Sequence, residues 1–165
     1  MGKRSLANYL SSRGFLFNRG LAMESGMDIE LSKASVGIWG CGDIGKKIAQ
    51  RLRALECHCV YGVSRSGKNP NDVFTKTYML ENCEVILPRC DYIVSAMPEN
   101  PDSIHYWNRN RFEQMKSGCI FLNVGRGSAV VLKDLQCALN HRRISGAVID
   151  VSEPEPVPLW HPYRL

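Results

Sequence analysis

The sequence predicts an α/β fold built on one doubly wound parallel sheet, and three observations carry that expectation. Mainly apolar runs recur along the chain, at 35–39, 58–63, 91–97, 119–124 and 146–150. Helical or turn-rich polar stretches separate them. The runs are continuous rather than alternating, as strands covered on both faces are. At 165 residues and 44% hydrophobic content, the chain suits a single domain with its own core.

The first run, Ser35-Val36-Gly37-Ile38-Trp39, breaks into Gly40-Cys41-Gly42-Asp43-Ile44-Gly45. Ile44, Ile48, Leu52 and Leu55 then recur at steps of four, four and three, an apolar helical stripe. Lys46, Lys47, Gln50, Arg51 and Arg53 take the other positions as a solvated face. His58–Val63 reads as a second strand, which closes a βαβ unit of about 30 residues. In that setting G-x-G-x-x-G is a dinucleotide fingerprint. Gly40 permits the tight turn, Gly42 lets the backbone approach a pyrophosphate, and Gly45 lets helix and strand pack closely. The helix N-terminus offers free N–H groups and partial positive charge to the phosphates. The expectation is a Rossmann-type cofactor-binding domain over residues 31–165, with residues 1–30 as a lead-in segment.

Beyond that unit, Ser64–Asp72 is a polar loop and residues 79–89 read as helix. Asp91–Met97 is a strand stopped by Pro98, and Glu99–Ser103 a turn-rich loop. Asn108–Lys116 reads as a short helix closed by Gly118, and Cys119–Val124 as the next strand. Residues 131–142 form a helix with Leu132, Leu135 and Leu139 inward, before a strand at Gly146–Asp150. Ligands on such sheets bind beyond the strand C-terminal ends. Those ends carry Gly40–Gly45, Ser64-Arg65, Met97-Pro98, Asn123–Arg126 and Asp150.

The net charge of +5 is local. Residues 1–23 hold Lys3, Arg4, Arg13 and Arg19 with no acid, while residues 24–165 hold 17 basic and 16 acidic side chains. A basic nucleic-acid face is therefore not expected, nor is a membrane partner. The basic start reads as an amphipathic lead-in helix or as an organelle transit peptide. The seven cysteines are odd in number and lack a C-x-x-C pair. Reduced thiols in a reducing compartment fit better than a disulfide framework or a zinc site, so a cytoplasmic location and no metal are expected. Cys57 and Cys59 share a strand face, which packing explains.

In the NAD form of this site an acid near the end of the second strand accepts the ribose 2′-hydroxyl. Here the position reads Val63-Ser64-Arg65-Ser66. Arg65 is either a solvated surface side chain or a fork for a 2′-phosphate, with Ser64 and Ser66 as added donors. The second reading predicts a preference for NADPH over NADH. Arg126, between Gly125 and Gly127, is either an exposed turn residue or a clamp for an α-keto carboxylate. Asp150 ends the next strand, and Glu155 follows in a proline-extended stretch, where a carboxylate could orient a histidine and raise its pKa.

Gly-Cys-Gly-Asp-Ile-Gly, Phe112–Gly118, Leu122–Gly127 and Gly146–Pro156 together resemble the D-isomer-specific 2-hydroxyacid dehydrogenases, over roughly residues 30–162 in unbroken order. Within that family the Ser-Arg-Ser loop and Pro158-Leu159-Trp160 are most similar to the NADPH-using glyoxylate/hydroxypyruvate reductases. The resemblance assigns Arg126 to substrate binding and Glu155 to support of a catalytic histidine. It assigns Asp43, Ile44, Ser64, Arg65, Val124, Gly125 and Asp150 to cofactor contact, and it implies a homodimer acting on a small 2-keto or 2-hydroxy acid.

The departures from the family pattern set the alternatives. Family members carry an N-terminal substrate lobe where this sequence has residues 1–30, and a Pro-His pair downstream of the glutamate. His161-Pro162 has the order reversed and lies too close to Glu155, while His58, His105 and His141 are not convincing proton donors. The sequence thus reads as the cofactor module of an NADPH-dependent reductase. The competing readings are a dinucleotide-binding module without turnover, such as a corepressor-like regulator, and a partial gene product without an independent role.

Overall fold

A computed structural model describes residues 29–153. The basic lead-in, Glu155, Pro158-Leu159-Trp160 and His161 lie outside the described residues. Six parallel strands form one sheet: β1 (Ser35–Trp39), β2 (Cys59–Ser64), β3 (Lys76–Met79), β4 (Tyr92–Ser95), β5 (Ile120–Asn123) and β6 (Gly146–Ile149). Their spatial order is β3-β2-β1-β4-β5-β6, which is the doubly wound order expected. The order reverses between β1 and β4, where Trp39 lies beside Ser95 and crossovers leave to opposite sides. Helices α1 (Asp43–Ala54), α2 (Arg109–Gln114) and α3 (Leu132–Asn140) complete the layers.

Strand side chains alternate between two apolar layers, as a period of two requires. Val36, Ile38, Val60, Phe74 and Val94 face one way and pack with Ala49, Ile48 and Leu52 of α1. Trp39, Ile93 and Phe121 face the other way, against Phe112 of α2, Leu135 and Ala138 of α3, and the 80–89 segment. Trp107 sits at the centre of the second layer, fully buried, with ring centroids 5.1 Å from Trp39, 5.1 Å from Tyr106 and 5.0 Å from Phe121. Trp39 Nε1 donates to Tyr106 Oη at 3.0 Å. Burial pushes the Tyr106 phenol above its ordinary range, so it stays neutral as a hydrogen-bonding hub.

Four expectations need correction. The apolar stripe of α1 is narrower than its spacing suggests: Ile44 and Leu55 are exposed, and the buried positions are Gly45 and Ala49. The stretch 79–89 is not an α-helix but a run of 3₁₀ turns, Leu80–Arg89, with Asn82 off helical geometry and Pro88 inside. Proline lacks the donor that an α-helical ladder would need there. The strand expected over 91–97 is shorter, running from Tyr92 to Ser95. Finally, β3 has no counterpart in the sequence expectation: an edge strand half-exposed on both faces gives neither an apolar run nor a clean alternation.

Trp107→Ala removes the ring on which three aromatic side chains, Trp39, Tyr106 and Phe121, converge. It should destabilise the domain by about 3–5 kcal/mol, measured as a lower urea midpoint with an unchanged slope.

Candidate functional site

The site is the crevice at the sheet's C-terminal edge, and close backbone packing builds it. Gly40 has φ +107°, a left-handed conformation open to glycine, and a Cβ there would lie 2.4 Å from the Ala96 carbonyl oxygen. Its N–H donates to Val63 O at 2.8 Å, while Ala96 N–H donates to Trp39 O at 2.7 Å. The exits of β1, β2 and β4 are thereby locked together. A Cβ at Gly45 would fall 1.9 Å from Gly40 O, so α1 lies directly on the turn. Around Gly42, by contrast, an added Cβ would meet nothing within 4 Å. That open side is where a diphosphate can approach the backbone.

A cavity of about 440 Å³ opens beside the turn. Of the residues expected at the site, Gly40, Gly42, Ser64, Arg65, Ser66, Met97 and Pro98 line it. Ser64 Oγ is buried in its wall with the Cys41 thiol beside it and no other hydrogen-bond partner among the described residues, so a bound ligand can engage it. Burial pushes the adjoining Cys41 thiol up to about 11, so it is a neutral wall and not a nucleophile at neutral pH. These features fit a dinucleotide: an open glycine face for phosphates, an apolar slot, and a cationic rim at Arg65.

The structure adds lining residues that the sequence reading missed: Lys68, Asn100, Asp102 and Ser103. Ser103 is buried, and its hydroxyl donates to Pro98 O at 2.8 Å while accepting from Asn100 N–H at 2.9 Å. Asn100 Oδ1 accepts from the N–H groups of Asp102 and Ser103. The Asn-Pro-Asp-Ser sequence carried this signal, because short polar side chains next to proline close such turns on their own backbone.

The remaining expected residues follow along the same edge rather than in the cavity. Gly125 presses against Met97, since a Cβ there would lie 2.7 Å from Met97 O. Val124 N–H donates to Ser95 O, and Asp150 N–H to Asn123 O at 3.0 Å. Asp43, Ile44, Arg126 and Asp150 are exposed, with Arg126 Nη1 donating to Gly125 O at 3.0 Å. Asn123, whose role the sequence reading missed, is fully buried beneath this turn. Its Nδ2 donates to Arg126 O at 3.0 Å and Val151 O at 3.4 Å, and its Oδ1 accepts from Gly125 N–H at 3.3 Å. Glu155 lies outside the described residues. His58 precedes β2 at the opposite edge, and His141 ends α3.

The family model described as D-isomer specific 2-hydroxyacid dehydrogenase, NAD binding domain, matches residues 13–164. The chain belongs to that family. Glyoxylate reductase/hydroxypyruvate reductase of Mus musculus is 34% identical over 137 residues, covering 80% of this chain and 40% of that protein. Among solved structures, a D-isomer specific 2-hydroxyacid dehydrogenase family protein from Aeromonas salmonicida matches with TM-score 0.76 and 37% identity, over 81% of this chain and 43% of the other. An NADPH-dependent glyoxylate/hydroxypyruvate reductase from Sinorhizobium meliloti, in complex with NADP and sulfate, matches with TM-score 0.75 and 30% identity, over 81% and 43%. The chain thus spans about two fifths of the length of the curated relatives it matches. Among the described residues, no helix is long and apolar enough to cross a membrane, and no group of histidine, cysteine and acidic side chains is arranged to hold a metal.

The two outer glycines and the middle one separate packing from binding in this NAD-binding domain. Gly42→Ala should leave the melting temperature near wild type, because its Cβ meets open space, yet weaken NAD(P)H binding by roughly tenfold or more. Gly40→Ala should instead lower the melting temperature itself. Paired thermal melts and fluorescence titrations check both.

Proposed function

We propose that this chain supplies the cofactor-binding part of an NADPH-dependent reductase of small 2-keto acids, of the glyoxylate or hydroxypyruvate kind, with residues 31–165 as the binding domain. The observation that carries the reading is the rim of the 440 Å³ cavity. The end of β2 there reads Ser64-Arg65-Ser66 where an NAD-type site needs an acid, and Lys68 adds a second cation. Glycines Gly40, Gly42 and Gly45, with the backbone of Asp43 and Ile44 at the start of α1, would hold the diphosphate. Met97, Pro98, Val124, Gly125 and Asp150 would line its path toward the β5 and β6 exits.

Bound there, NADPH supplies a hydride to the substrate carbonyl carbon. Arg126 would hold the 2-keto acid carboxylate and polarise its carbonyl oxygen, because a guanidinium fork matches a carboxylate and stabilises charge developing beside it. Glu155 would orient the histidine that protonates the forming alkoxide. A homodimer in the cytoplasm, with no nucleic-acid or membrane partner, completes the reading. A second reading is a dinucleotide-binding module without turnover: His58 and His141 lie away from the Arg126 edge, and of these three histidines only His105 is near it, its backbone N–H donating to Ser128 O at 2.8 Å.

Titration of the chain with NADPH, followed by assays of glyoxylate and hydroxypyruvate reduction, separates the two. Binding with turnover is expected of a reductase, binding alone of a module, and no binding would sink both. Arg65→Ala should weaken NADPH binding by roughly tenfold or more, the loss of a hydrogen-bonded charge pair, while leaving NADH binding nearly unchanged. An equal loss for both dinucleotides would assign Arg65 to the surface.

A further inference from the structure

The first turn of α1 carries a charge pair at the mouth of the glycine turn. Asp43 is the first residue of the helix, its side chain is 89% exposed, and its Oδ1 lies 3.0 Å from Lys46 Nζ. An acid in this place stabilises an empty helix, because it faces the uncompensated N–H groups of the first turn. The Lys46 ammonium holds the Asp43 carboxyl below its ordinary range, with a smaller pull from Lys47. The N-cap residue is Gly42, so it offers no side-chain oxygen to accept from the first-turn N–H groups.

A diphosphate docking at the open face of Gly42 needs those same N–H groups and brings its own negative charge. It therefore meets Asp43 as a like charge at short range. Lys46 is placed to serve either anion: helical side chains lean toward the N-terminus, and its own is 30% exposed. One ammonium stands between a carboxylate that is always present and a diphosphate that comes and goes.

We propose that Asp43 is a built-in competitor for the dinucleotide's diphosphate: it holds Lys46 in the free domain and yields it on binding, trading cofactor affinity for stability of the empty helix. The inference rests on the dinucleotide reading of the glycine turn. Its sign is opposite to that of an ordinary contact residue, whose loss weakens binding.

The test is fluorescence titration of the full chain with NADPH, alongside thermal melts without ligand. Asp43→Asn should bind NADPH roughly two- to fivefold tighter at low salt, the range of exposed charge pairs, while its ligand-free melting temperature falls. Lys46→Ala should bind more weakly, and the gain from Asp43→Asn should shrink in its background. The gain should also vanish near 1 M salt, where screening acts over about 3 Å. Weaker or unchanged NADPH binding by Asp43→Asn would overturn the proposal, as would a gain insensitive to salt. Failure of the wild-type chain to bind NADPH at all would remove the dinucleotide reading beneath it, a distinct result.

Discussion

The crossing of three backbone segments at Gly40, Gly45 and Ala96 is the constraint on which the rest of the crevice depends. With added Cβ atoms the separations would be 1.9 Å at Gly45 and 2.4 Å at Gly40, so no side chain can stand between helix, turn and strand exit. Backbone against backbone leaves α1 a single seat. Its first-turn N–H groups are then aimed over the sheet edge by packing, before any ligand arrives. The same device recurs farther along that edge, where a Cβ on Gly127 would lie 2.3 Å from the Ser152 carbonyl carbon. Both halves of the crevice floor are thus made of main chain, and side chains enter only at the rim.

A floor of main chain needs its polar groups satisfied, and Asn123 does this for the β5 and β6 exits. One buried amide holds the Arg126 turn to Val151, so the exposed guanidinium rises from a fixed base. At the opposite edge Asp91 performs the matching task. Its buried carboxylate accepts from Ser35 N–H at 2.9 Å and from Lys116 Nζ at 2.6 Å, which ties β1, β4 and the approach to β5. Ile120 N–H adds a bond to the Asp91 carbonyl. Order at both ends of the sheet is set by one buried polar side chain each, and apolar layers fill the space between.

Legibility in the sequence followed this division. The glycine turn, five of the six strands and α1 were readable because period and turn chemistry are local properties. The edge strand β3 was not, since Lys76-Thr77-Tyr78-Met79 is specified by pairing with β2 rather than by its own pattern. The 3₁₀ run at Leu80–Arg89 mimics helical spacing until Pro88 is weighed. Within the site, Arg65 and Arg126 stood out by residue type. Asn123, Lys68 and Ser103 did not, because their importance lies in contacts between segments distant along the chain.

The rim also bears on which dinucleotide the crevice suits. Ser64 Oγ is buried with only the weakly hydrogen-bonding Cys41 thiol beside it among the described residues, and a buried hydroxyl left fully unpaired costs roughly 1–3 kcal/mol. A ligand oxygen at that wall would recover the cost, and both NADH and NADPH have one to offer. Discrimination must therefore come from charge. Arg65 and Lys68 stand on the cavity with one acid, Asp102, on its other wall. A 2′-phosphate adds negative charge beside two cations, whereas a free 2′-hydroxyl finds no carboxylate at the end of β2 to accept its hydrogen bond. Asp102, held by the Asn100 turn rather than by the strand, tempers the cationic field without replacing the missing acid. Under the proposed reading, that surplus positive charge at the rim, and not the Ser64 hydroxyl, would be what tells a phosphorylated ribose from a free one.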